Sequence, residues 1–357
     1  MRSPALRARL CNATPPSPCP SPTRGTITVA SPFHRFAHQA MATYFEVMID
    51  EDDATYAGQA AQAVFAEVDR LETLLTRFRP TSDLSQVNRL QPGQSMKVTL
   101  DLFECLAIAQ EMHDKTGGAF DPTVGPLMNS LRGENGVLLN ITDRQRAKAL
   151  ARVGLKRIQL DRENLTVTVA PAKGAHEAGP VGLDLGGIGK GYALDRGVEI
   201  LQDWGIESAV IHSGTSTAFA IGSPRSSAPG EEGWVLGTGG EWREAVGFGT
   251  VRIRNEALSG SSKRLKGEHI LDPRTGYPAR EQLAAWSLAP SAAVADALST
   301  AFMVMSTNEV MEVCKSMPAV GGLVIVPRQG ILGAFADEAI ATPEFRARAV
   351  KIAATDS

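Results

Sequence analysis

The sequence predicts an α+β fold, and three observations support this prediction. Helical periodicity dominates residues 54–153, whereas strand patterns dominate residues 156–254. This separation differs from the regular alternation of strands and helices that parallel α/β folds require. The chain contains no internal repeat with the period of a solenoid or propeller protein, which excludes a repeat architecture.

The first strand and helix follow from these two periodicities. Residues 43–49 alternate in polarity and end at an acidic turn, residues 50–53, which predicts a strand. Residues 54–77 predict a long amphipathic helix, followed by a polar loop at 80–90. The apolar residues at helical spacing in this helix are Ala61, Val64, Phe65, Val68, Leu71, Leu74 and Leu75.

Capping and turn residues predict the next three elements. A helix at 101–115 has Asp101 near its N-cap and ends before Gly117 and Gly118. A short helix at 142–153 begins at a Thr or Asp cap. Residues 156–160 and 165–169 predict a hairpin that turns at 161–164.

The second half of the chain continues with alternating and helical patterns. A glycine-rich loop at 185–191 leads into a helix at about 192–204. The remaining predicted elements are strands at 209–211 and 217–221, a strand-rich stretch to 254, a strand at 284–288, a helix at 292–305, and strands at 323–326 and 330–335.

The first 40 residues differ in composition from the rest of the chain. They contain five arginines, seven of the 21 prolines and no acidic residue. The other 317 residues hold 31 basic and 39 acidic side chains, so the net charge of −3 conceals a body of −8. We predict that residues 1–40 are a disordered or mis-assigned N-terminal extension, that residues 41–349 form the folded domain, and that residues 350–357 are a tail.

Two other interpretations of the N-terminal arm are a secretory or lipoprotein signal and a transit peptide. Residues 1–30 lack the apolar segment that a signal requires. The arm is Ser/Thr-rich and arginine-bearing like a transit peptide, but its prolines disfavour an amphipathic helix. With no signal peptide predicted, the expected location is the cytoplasm.

Composition excludes several classes of protein. No stretch approaches the ~18 apolar residues that a membrane span needs, and the acidic body lacks the basic stripe of a nucleic-acid binder. The four cysteines are too widely spaced for a zinc ribbon or a disulfide scaffold. Because the chain contains six histidines, we do not expect a His-rich transition-metal site.

The first motif that could take part in binding or catalysis is the glycine-rich segment LDLGGIGKG at residues 183–191. Glycines before a helix let a phosphate approach the backbone, and the helix N-terminus favours an anion. Lys190 could add a positive charge at the same place. A Walker A loop is excluded because Asp184 replaces its first Gly and Gly191 replaces its Ser or Thr. The alternative is a tight turn with a surface lysine.

The second motif is AVADALSTA at residues 293–301. Asp296 and Thr300 are four residues apart on a predicted helix and therefore share a face. A carboxylate and a hydroxyl, completed by carbonyl and phosphate oxygens, are ligands suited to Mg²⁺. The alternative is an aspartate that caps the helix N-terminus beside a core threonine.

Two further loops allow more than one interpretation. In HILDPRTG, residues 269–276, the histidine could be a base, a metal ligand or a residue at a strand end. In GGAFDPTVG, residues 117–125, the aromatic and the carboxylate could surround a flat ring or belong to a helix C-cap and a turn.

A nucleophile elbow is a rival interpretation of residues 214–218, GTSTA. The elbow of α/β-hydrolases turns directly into a helix. Residues 217–221 alternate in polarity instead, and the last glycine of the motif is Ala218. This pattern argues against a serine hydrolase.

Together and in this order, the motifs resemble the FAD:protein FMN transferase family, also called ApbE-like flavin transferases. The resemblance covers about residues 41–335 and implies an ApbE-like fold with mixed or antiparallel sheets and packed helices. The matching segments are Met41-Ala42-Thr43, SDLSQVN at 82–88, GGAFDPTVGPL at 117–127, LDLGGIGKGYALD at 183–195, Ser259-Gly260, HILDPRTG at 269–276 and ADALSTA at 295–301.

The resemblance implies an activity, because such proteins bind FAD with Mg²⁺ and cleave its pyrophosphate. They transfer FMN to a Ser or Thr hydroxyl of an acceptor protein and release AMP. Phosphoryl transfer of this kind depends on positioning and on neutralising charge. Neither a nucleic acid nor a membrane span is expected to take part.

The resemblance also implies roles for individual residues. Mg²⁺ would be bound by Asp296 and Thr300, with backbone oxygens near Gly187 and Ser299. His269 would lie near the transferred phosphate as a general base, and Asp296 would take part in catalysis through the metal. The residues expected to line the FAD site or contact the nucleotide or ring are Met41, Phe78, Ala119, Phe120, Asp121, Asp184, Lys190 and Leu271.

Several positions depart from the family pattern. Gly214-Thr215-Ser216 stands where the family has Gly-Gly-Asp, and Ala42 stands where it has Gly. Leu258 precedes Ser259-Gly260 in place of a Thr, and Ser262 occupies a tyrosine position. Family members are often exported lipoproteins, a property for which no signal is predicted here. Two alternatives therefore stay open: hydrolysis of FAD to FMN and AMP, and flavin binding without catalysis.

Overall fold

A computed structural model describes residues 33–131, 141–171, 179–239, 241–242, 245–246, 249–263, 270–329 and 335–352. The predicted base, His269, lies outside the described residues. In chain order, the strands are β1 His34–Ala40, β2 Thr43–Ile49, β3 Ser95–Lys97, β4 Ile158–Asp161, β5 Thr166–Val169, β6 Ala209–Ser213, β7 Thr217–Ile221, β8 Trp234–Gly237, β9 Glu241–Trp242, β10 Ala245–Val246, β11 Gly249–Ile253, β12 Glu256–Ser262, β13 Ala284–Ala289, β14 Gly321–Gln329, β15 Phe335–Ala341 and β16 Ala349–Ile352.

Helices lie in five of the intervals between these strands, among the described residues. In chain order they are α1 Ala54–Leu75, α2 Asp83–Val87, α3 Leu100–Lys115, α4 Gly125–Leu131, α5 Asp143–Leu150, α6 Gly189–Asp203, α7 Ala292–Phe302, α8 Thr307–Ser316 and α9 Pro343–Arg348. Short 3₁₀ turns lie at Pro122–Val124 and Leu155–Arg157. In the described part of the chain, no helix is both long and apolar enough to cross a membrane.

An eight-stranded sheet in the order β1-β2-β6-β7-β12-β13-β14-β15 forms the centre of the fold. Every strand pair among the described residues is antiparallel. Because the described strands pair antiparallel and form no parallel strand-helix-strand units, the α+β prediction is confirmed.

The two faces of the central sheet are covered differently. Helices α1, α6 and α7 pack on one face. The small sheet β16-β11-β8 and helix α9 cover the other, around Trp234, Trp286 and Phe345. Side chains alternate along β12, so Ser259 faces helix α7 while Leu258 faces the small sheet. This alternation decides which polar residues reach the helix layer.

The folded domain begins before Met41, so the predicted boundary at this residue is wrong. Strand β1, His34–Ala40, pairs along its whole length with β2. The sequence of β1 alternates only weakly in polarity. Because it contains an arginine and two histidines and no acidic residue, it resembles the N-terminal arm in composition. At the other end, β16 extends to Ile352 and pairs with β11, so residues 350–352 belong to a sheet. Residues 353–357 of the predicted tail lie outside the described part.

Most other predicted elements are confirmed, and the differences have local causes. Asp53 caps α1 by accepting from the amides of Thr55 and Tyr56, and Thr142 forms a capping box at α5. The predicted loop at 80–90 contains helix α2 because Ser82 caps it. Helix α3 is preceded by Thr99 as its N-cap residue, so Asp101 lies in the first turn.

Two differences occur near the motifs and at the end of the sheet. Helix α6 starts at Gly189, three residues earlier than predicted, so Lys190 lies in its first turn. The last strand of the central sheet is Phe335–Ala341 rather than 330–335, and residues 330–334 lie outside the described part. Cys105 and Cys314 are both free and buried.

Candidate functional site

The glycine-rich loop is held in place by hydrogen bonds from a distant part of the chain. The side chain of Asn88 donates to the carbonyl of Leu183 at 2.9 Å and accepts from its amide at 2.6 Å. The amide of Asp184 donates to the carbonyl of Pro122 at 2.7 Å. The loop then runs directly into α6. Asn88 ends the segment 82–88 that resembles the family, but its role was not predicted, because residue type and local spacing do not indicate a pairing across 95 positions.

Helix α7 places Asp296 in its second turn. The N-cap residue is Ser291, whose hydroxyl accepts from the amide of Val294. Asp296 therefore does not cap its own helix, and the capping alternative is wrong. Its side chain is almost completely buried, at 3% exposed, although a buried carboxylate is costly without partners.

Lys190 and Gly191 supply the partners of this carboxylate. The Nζ of Lys190 lies 3.3 Å from Oδ2 of Asp296, and the amide of Gly191 donates to the same oxygen at 3.2 Å. Lys190 also donates to the carbonyl of Gly186 at 2.8 Å. The glycine-rich motif and the Asp296 motif, identified separately in the sequence, thus meet at one point. Among the described residues, both hydrogen bonds to the Asp296 carboxylate end on its Oδ2.

Thr300 and Gly187 meet on the same side of α7. The hydroxyl of Thr300 donates to the carbonyl of Asp296 at 3.1 Å, which leaves its lone pairs for another partner. A Cβ added at Gly187 would lie 3.1 Å from Oγ1 of Thr300 and 3.5 Å from the ring of Phe120. The structure therefore brings Gly187, Thr300, Asp296 and Phe120 together.

A row of hydroxyl groups lies between α7 and the central sheet. The hydroxyl of Ser299 donates to the carbonyl of Asp296 at 3.1 Å and lies 3.1 Å from Oγ of Ser259 and 3.0 Å from Oγ of Ser261. Oγ of Ser259 in turn lies 2.9 Å from Oγ1 of Thr217. Ser299 thus uses its side chain in the sheet contact, so only its backbone stays available for the predicted metal role.

The donor set suits Mg²⁺ in its chemistry. Asp296 offers a carboxylate, Thr300 a hydroxyl and the glycine loop its carbonyls, and all of these are hard oxygen ligands. Among the described residues, no cluster of three or more His, Cys, Asp or Glu side chains could hold a metal. A site with few protein ligands fits an ion that keeps waters and binds substrate phosphates.

An ion pair joins the glycine loop to the end of helix α1. Nε of Arg77 lies 3.0 Å from Oδ2 of Asp184, and its guanidinium stacks on Phe78 at 4.6 Å from the ring centroid. Phe78 is 82% exposed. The predicted FAD contacts Phe78 and Asp184 are therefore connected through Arg77, which was not predicted as a site residue because one arginine after a helix is an unspecific signal.

The segment Ala119–Asp121 is buried against the core. Oδ1 of Asp121 accepts from the amide and hydroxyl of Thr123 at 2.7 and 2.5 Å, and its Oδ2 accepts from the amide of Leu155 at 3.1 Å. Nδ1 of His113 lies 3.4 Å from the same oxygen. The carboxylate is directed into the protein, so any contact of Asp121 with a nucleotide would come from its backbone.

Met41 and Leu271 lie in two other parts of the fold. Met41 and Ala42 form the turn between β1 and β2, with φ angles of 49° and 57° in the left-handed region that glycine favours. Leu271 is buried with Leu127, Leu131 and other residues in a small cluster. The structure does not bring Met41 or Leu271 into contact with Asp296.

The turn at residues 214–216 joins two antiparallel strands, β6 and β7. No helix follows it, so the prediction that this segment is not a nucleophile elbow is confirmed. The carbonyl of Ser216 accepts from the amide of Gly260 at 2.8 Å. The departures at 214–216 and 259–262 are therefore neighbours in space.

A polar cavity of about 340 Å³ is lined in part by residues 181–183, the segment before the glycine loop. Its lining includes Arg77, Asn88 and Arg152, but none of the predicted site residues. Burial and then the charge of Arg152 lower the pKa of the neighbouring Arg157 guanidinium. This cavity is separate from the Asp296 cluster.

Asp195 ends the segment 183–195 that resembles the family, but no role was predicted for it. It lies on α6, where its carboxylate accepts from the hydroxyl of Ser291 at 2.7 Å and from the amides of Ala292 and Ala293 at 2.6 and 2.9 Å. Burial raises the pKa of this carboxyl, and these three donors oppose the shift.

Comparison with known proteins gives one family and a consistent set of relatives. A family model described as the ApbE family matches residues 41–324. An FAD:protein FMN transferase of Treponema pallidum is 29% identical, over 75% of this chain and 77% of that protein. A protein of the same name from Haemophilus influenzae is 27% identical, over 76% of this chain and 80% of its own length.

Solved structures agree with the fold. The ApbE protein of Thermotoga maritima superimposes with a TM-score of 0.72 at 24% identity, covering 89% of this chain and all of that one. The flavin transferase ApbE of Vibrio cholerae gives a TM-score of 0.71 at 21% identity, over 88% of this chain and 98% of its own. At these identities the likeness supports the fold alone.

Proposed function

The chain belongs to the ApbE family, as its motifs predict, and from this premise we propose that it transfers FMN from FAD to a Ser or Thr hydroxyl of an acceptor protein, with Mg²⁺ and with release of AMP. Relatives that cover most of the chain carry the name FAD:protein FMN transferase. The observation that carries the proposal is the meeting of Asp296, Thr300 and the Gly187–Lys190 loop in one place.

The proposed metal site assigns a role to each residue of this cluster. Asp296 and Thr300 would hold Mg²⁺ together with a carbonyl near Gly187, and the backbone of Ser299 would lie beside it. When bound, the ion supplies Lewis-acid stabilisation of charge on the pyrophosphate. Lys190, already within 3.3 Å of Asp296, would pair with a phosphate oxygen of the same substrate.

The remaining predicted residues would hold the nucleotide. Asp184, fixed by Arg77, and the exposed ring of Phe78 lie at one end of the glycine loop. Phe120 packs against Gly187 on the same loop. The backbone of Ala119 and Asp121, with Met41 and Leu271, completes the set that the family resemblance assigns to FAD.

The reaction balances without a redox step. The acceptor hydroxyl attacks the phosphorus of the FMN half, an O–P bond forms, and the bond to the bridging oxygen breaks. AMP leaves with that oxygen, and the hydroxyl proton passes to a general base. We assign this base to His269, on its position in the HILDP motif.

We expect His269→Ala to lower the rate of transfer by a factor of about 10² to 10⁴, the usual contribution of a general base. The measurement is the single-turnover rate of covalent flavin formation at saturating FAD and Mg²⁺, together with FAD binding. Because a base acts on the chemical step, FAD affinity should stay within about threefold of the unsubstituted protein. A variant that transfers FMN at the original rate would remove His269 from the mechanism.

The proposal is tested by incubating the protein with FAD, Mg²⁺ and a proven acceptor protein. Covalent flavin fluorescence should appear on the acceptor after denaturing electrophoresis, and EDTA should prevent it. The control is the same acceptor with its Ser or Thr site replaced by Ala. A competent acceptor that gains no flavin under these conditions would refute the proposed transfer.

A further inference from the structure

Helices α6 and α7 each supply a carboxylate to the first turn of the other. Asp195 of α6 accepts from the amides of Ala292 and Ala293, the first two residues of α7, at 2.6 and 2.9 Å. In the other direction, Asp296 of α7 accepts from the amide of Gly191, the third residue of α6, at 3.2 Å. The two helices are therefore capped reciprocally.

Both caps satisfy amides that have no partner within their own helix. The first four amides of an α-helix lack intrahelical acceptors, and the helix dipole concentrates positive charge at that end. Ala292, Ala293 and Gly191 are buried, so water cannot replace the missing acceptors. Two N-terminal ends that approach each other would repel, and the exchanged carboxylates offset this repulsion.

The helices also touch at their backbones, which fixes their separation. A Cβ added at Gly191 would lie 2.2 Å from the carbonyl oxygen of Ala292 and 2.7 Å from Cα of Ala293, closer than any real contact. With Gly191 at this contact and Asp195 bound one turn further along α6, the first turn of α7 has one position relative to Lys190. Asp296 follows on that same helix.

We infer that Asp195 is a positioning residue for the metal site, which it holds in shape by fixing the start of α7 against α6 and so placing Asp296 and Thr300 beside the glycine loop. This inference rests on the proposed function, because it concerns the proposed Mg²⁺ ligands. Among the described residues, the hydrogen bonds of the Asp195 carboxylate go to Ser291 and the two amides of α7. Its effect on the metal is therefore transmitted through the helix.

The test compares two substitutions at Asp195 with a matched helix cap elsewhere. Ser306 caps α8, the helix after α7, through the amide of Glu309, and its side-chain hydrogen bonds among the described residues go to Glu309 and not to Asp296 or Thr300, so Ser306→Ala removes a helix cap outside the proposed metal site. Each full-length variant is titrated with Mg²⁺ alone by calorimetry, and its unfolding is measured in denaturant. Both Asp195→Ala and Ser306→Ala should lose stability, by about 1 kcal/mol or more.

We expect Asp195→Ala to weaken Mg²⁺ binding 10- to 100-fold, the range found for residues that orient metal ligands. Asp195→Asn should lose less, because its amide oxygen can still accept from one of the two amides. Ser306→Ala should bind Mg²⁺ as the unsubstituted protein does. Should Asp195→Ala not fold, Asp195→Asn against Ser306→Ala gives the same comparison.

Two outcomes would overturn the inference. Unchanged Mg²⁺ affinity in both Asp195 variants would show that the cap does not govern the site, and equal weakening in Ser306→Ala would show a general effect of stability. If the unsubstituted protein does not bind Mg²⁺, the metal assignment in the proposed function is contradicted. The inference about Asp195 then fails with it.

Discussion

Asp296→Asn is expected to lower the rate of FMN transfer by two to three orders of magnitude while the protein stays folded. The substitution keeps the shape of a buried side chain, and its amide oxygen can still accept from Gly191. It removes the negative charge that would hold Mg²⁺ and that now faces Lys190 at 3.3 Å. Loss of metal stabilisation of about 3–4 kcal/mol corresponds to this factor.

The measurement is the Mg²⁺ dependence of single-turnover transfer, with direct Mg²⁺ binding as a second reading. Glu312→Gln on helix α8 is the matched control, since it removes one exposed carboxylate and should leave both quantities unchanged. The account predicts that Asp296→Asn no longer responds to Mg²⁺ in the range where the unsubstituted protein saturates. An unaltered Mg²⁺ response in Asp296→Asn would show that this residue is not a ligand.

Gly191→Ala is expected to destabilise the protein by about 3 kcal/mol and to abolish tight Mg²⁺ binding. The added methyl group would overlap the carbonyl oxygen of Ala292, which belongs to backbone and cannot rotate away. Helices α6 and α7 would have to separate, and overpacking of a well-packed contact costs about 1–3 kcal/mol or more. Separation would also stretch the bonds from Gly191 and Lys190 to Asp296.

Gly189→Ala provides the control within the same turn of helix. A Cβ at Gly189 would meet only Cβ of Leu185, at an ordinary 3.7 Å, so its stability should change by less than about 1 kcal/mol. Denaturant unfolding of both variants measures the difference. If the two substitutions cost the same free energy, the backbone contact between α6 and α7 does not determine the separation of the helices.

The sequence was informative where a pattern is local. The alternation of residues 43–49, the periodicity of α1 and the Thr142 capping box each predicted an element that the structure contains. The two motifs around Lys190 and Asp296 were identified from residue type and spacing. That they meet within 3.3 Å depends on the packing of α6 on α7, which spacing along the chain does not specify.

The features missed by sequence reasoning depend on contacts between distant residues. Asn88 holds Leu183 across 95 positions, and Asp195 holds the start of α7 across about the same distance. Both residues lie in segments that resemble the family, but residue type and spacing along the chain indicate no structural role for either. Strand β1 was missed for a different reason. Its sequence alternates too weakly to predict a strand, and the strand is formed by its hydrogen bonds to β2.

The ratio of AMP released to FMN covalently bound to the acceptor tests the central claim most directly. Both products are quantified in one reaction that contains the protein, FAD, acceptor and a range of Mg²⁺ concentrations. The account predicts one AMP for each FMN bound, with both falling to background when Mg²⁺ is removed. AMP released without covalent flavin would indicate hydrolysis of FAD, and FAD retained without AMP would indicate a binding protein; either result would contradict the transferase account.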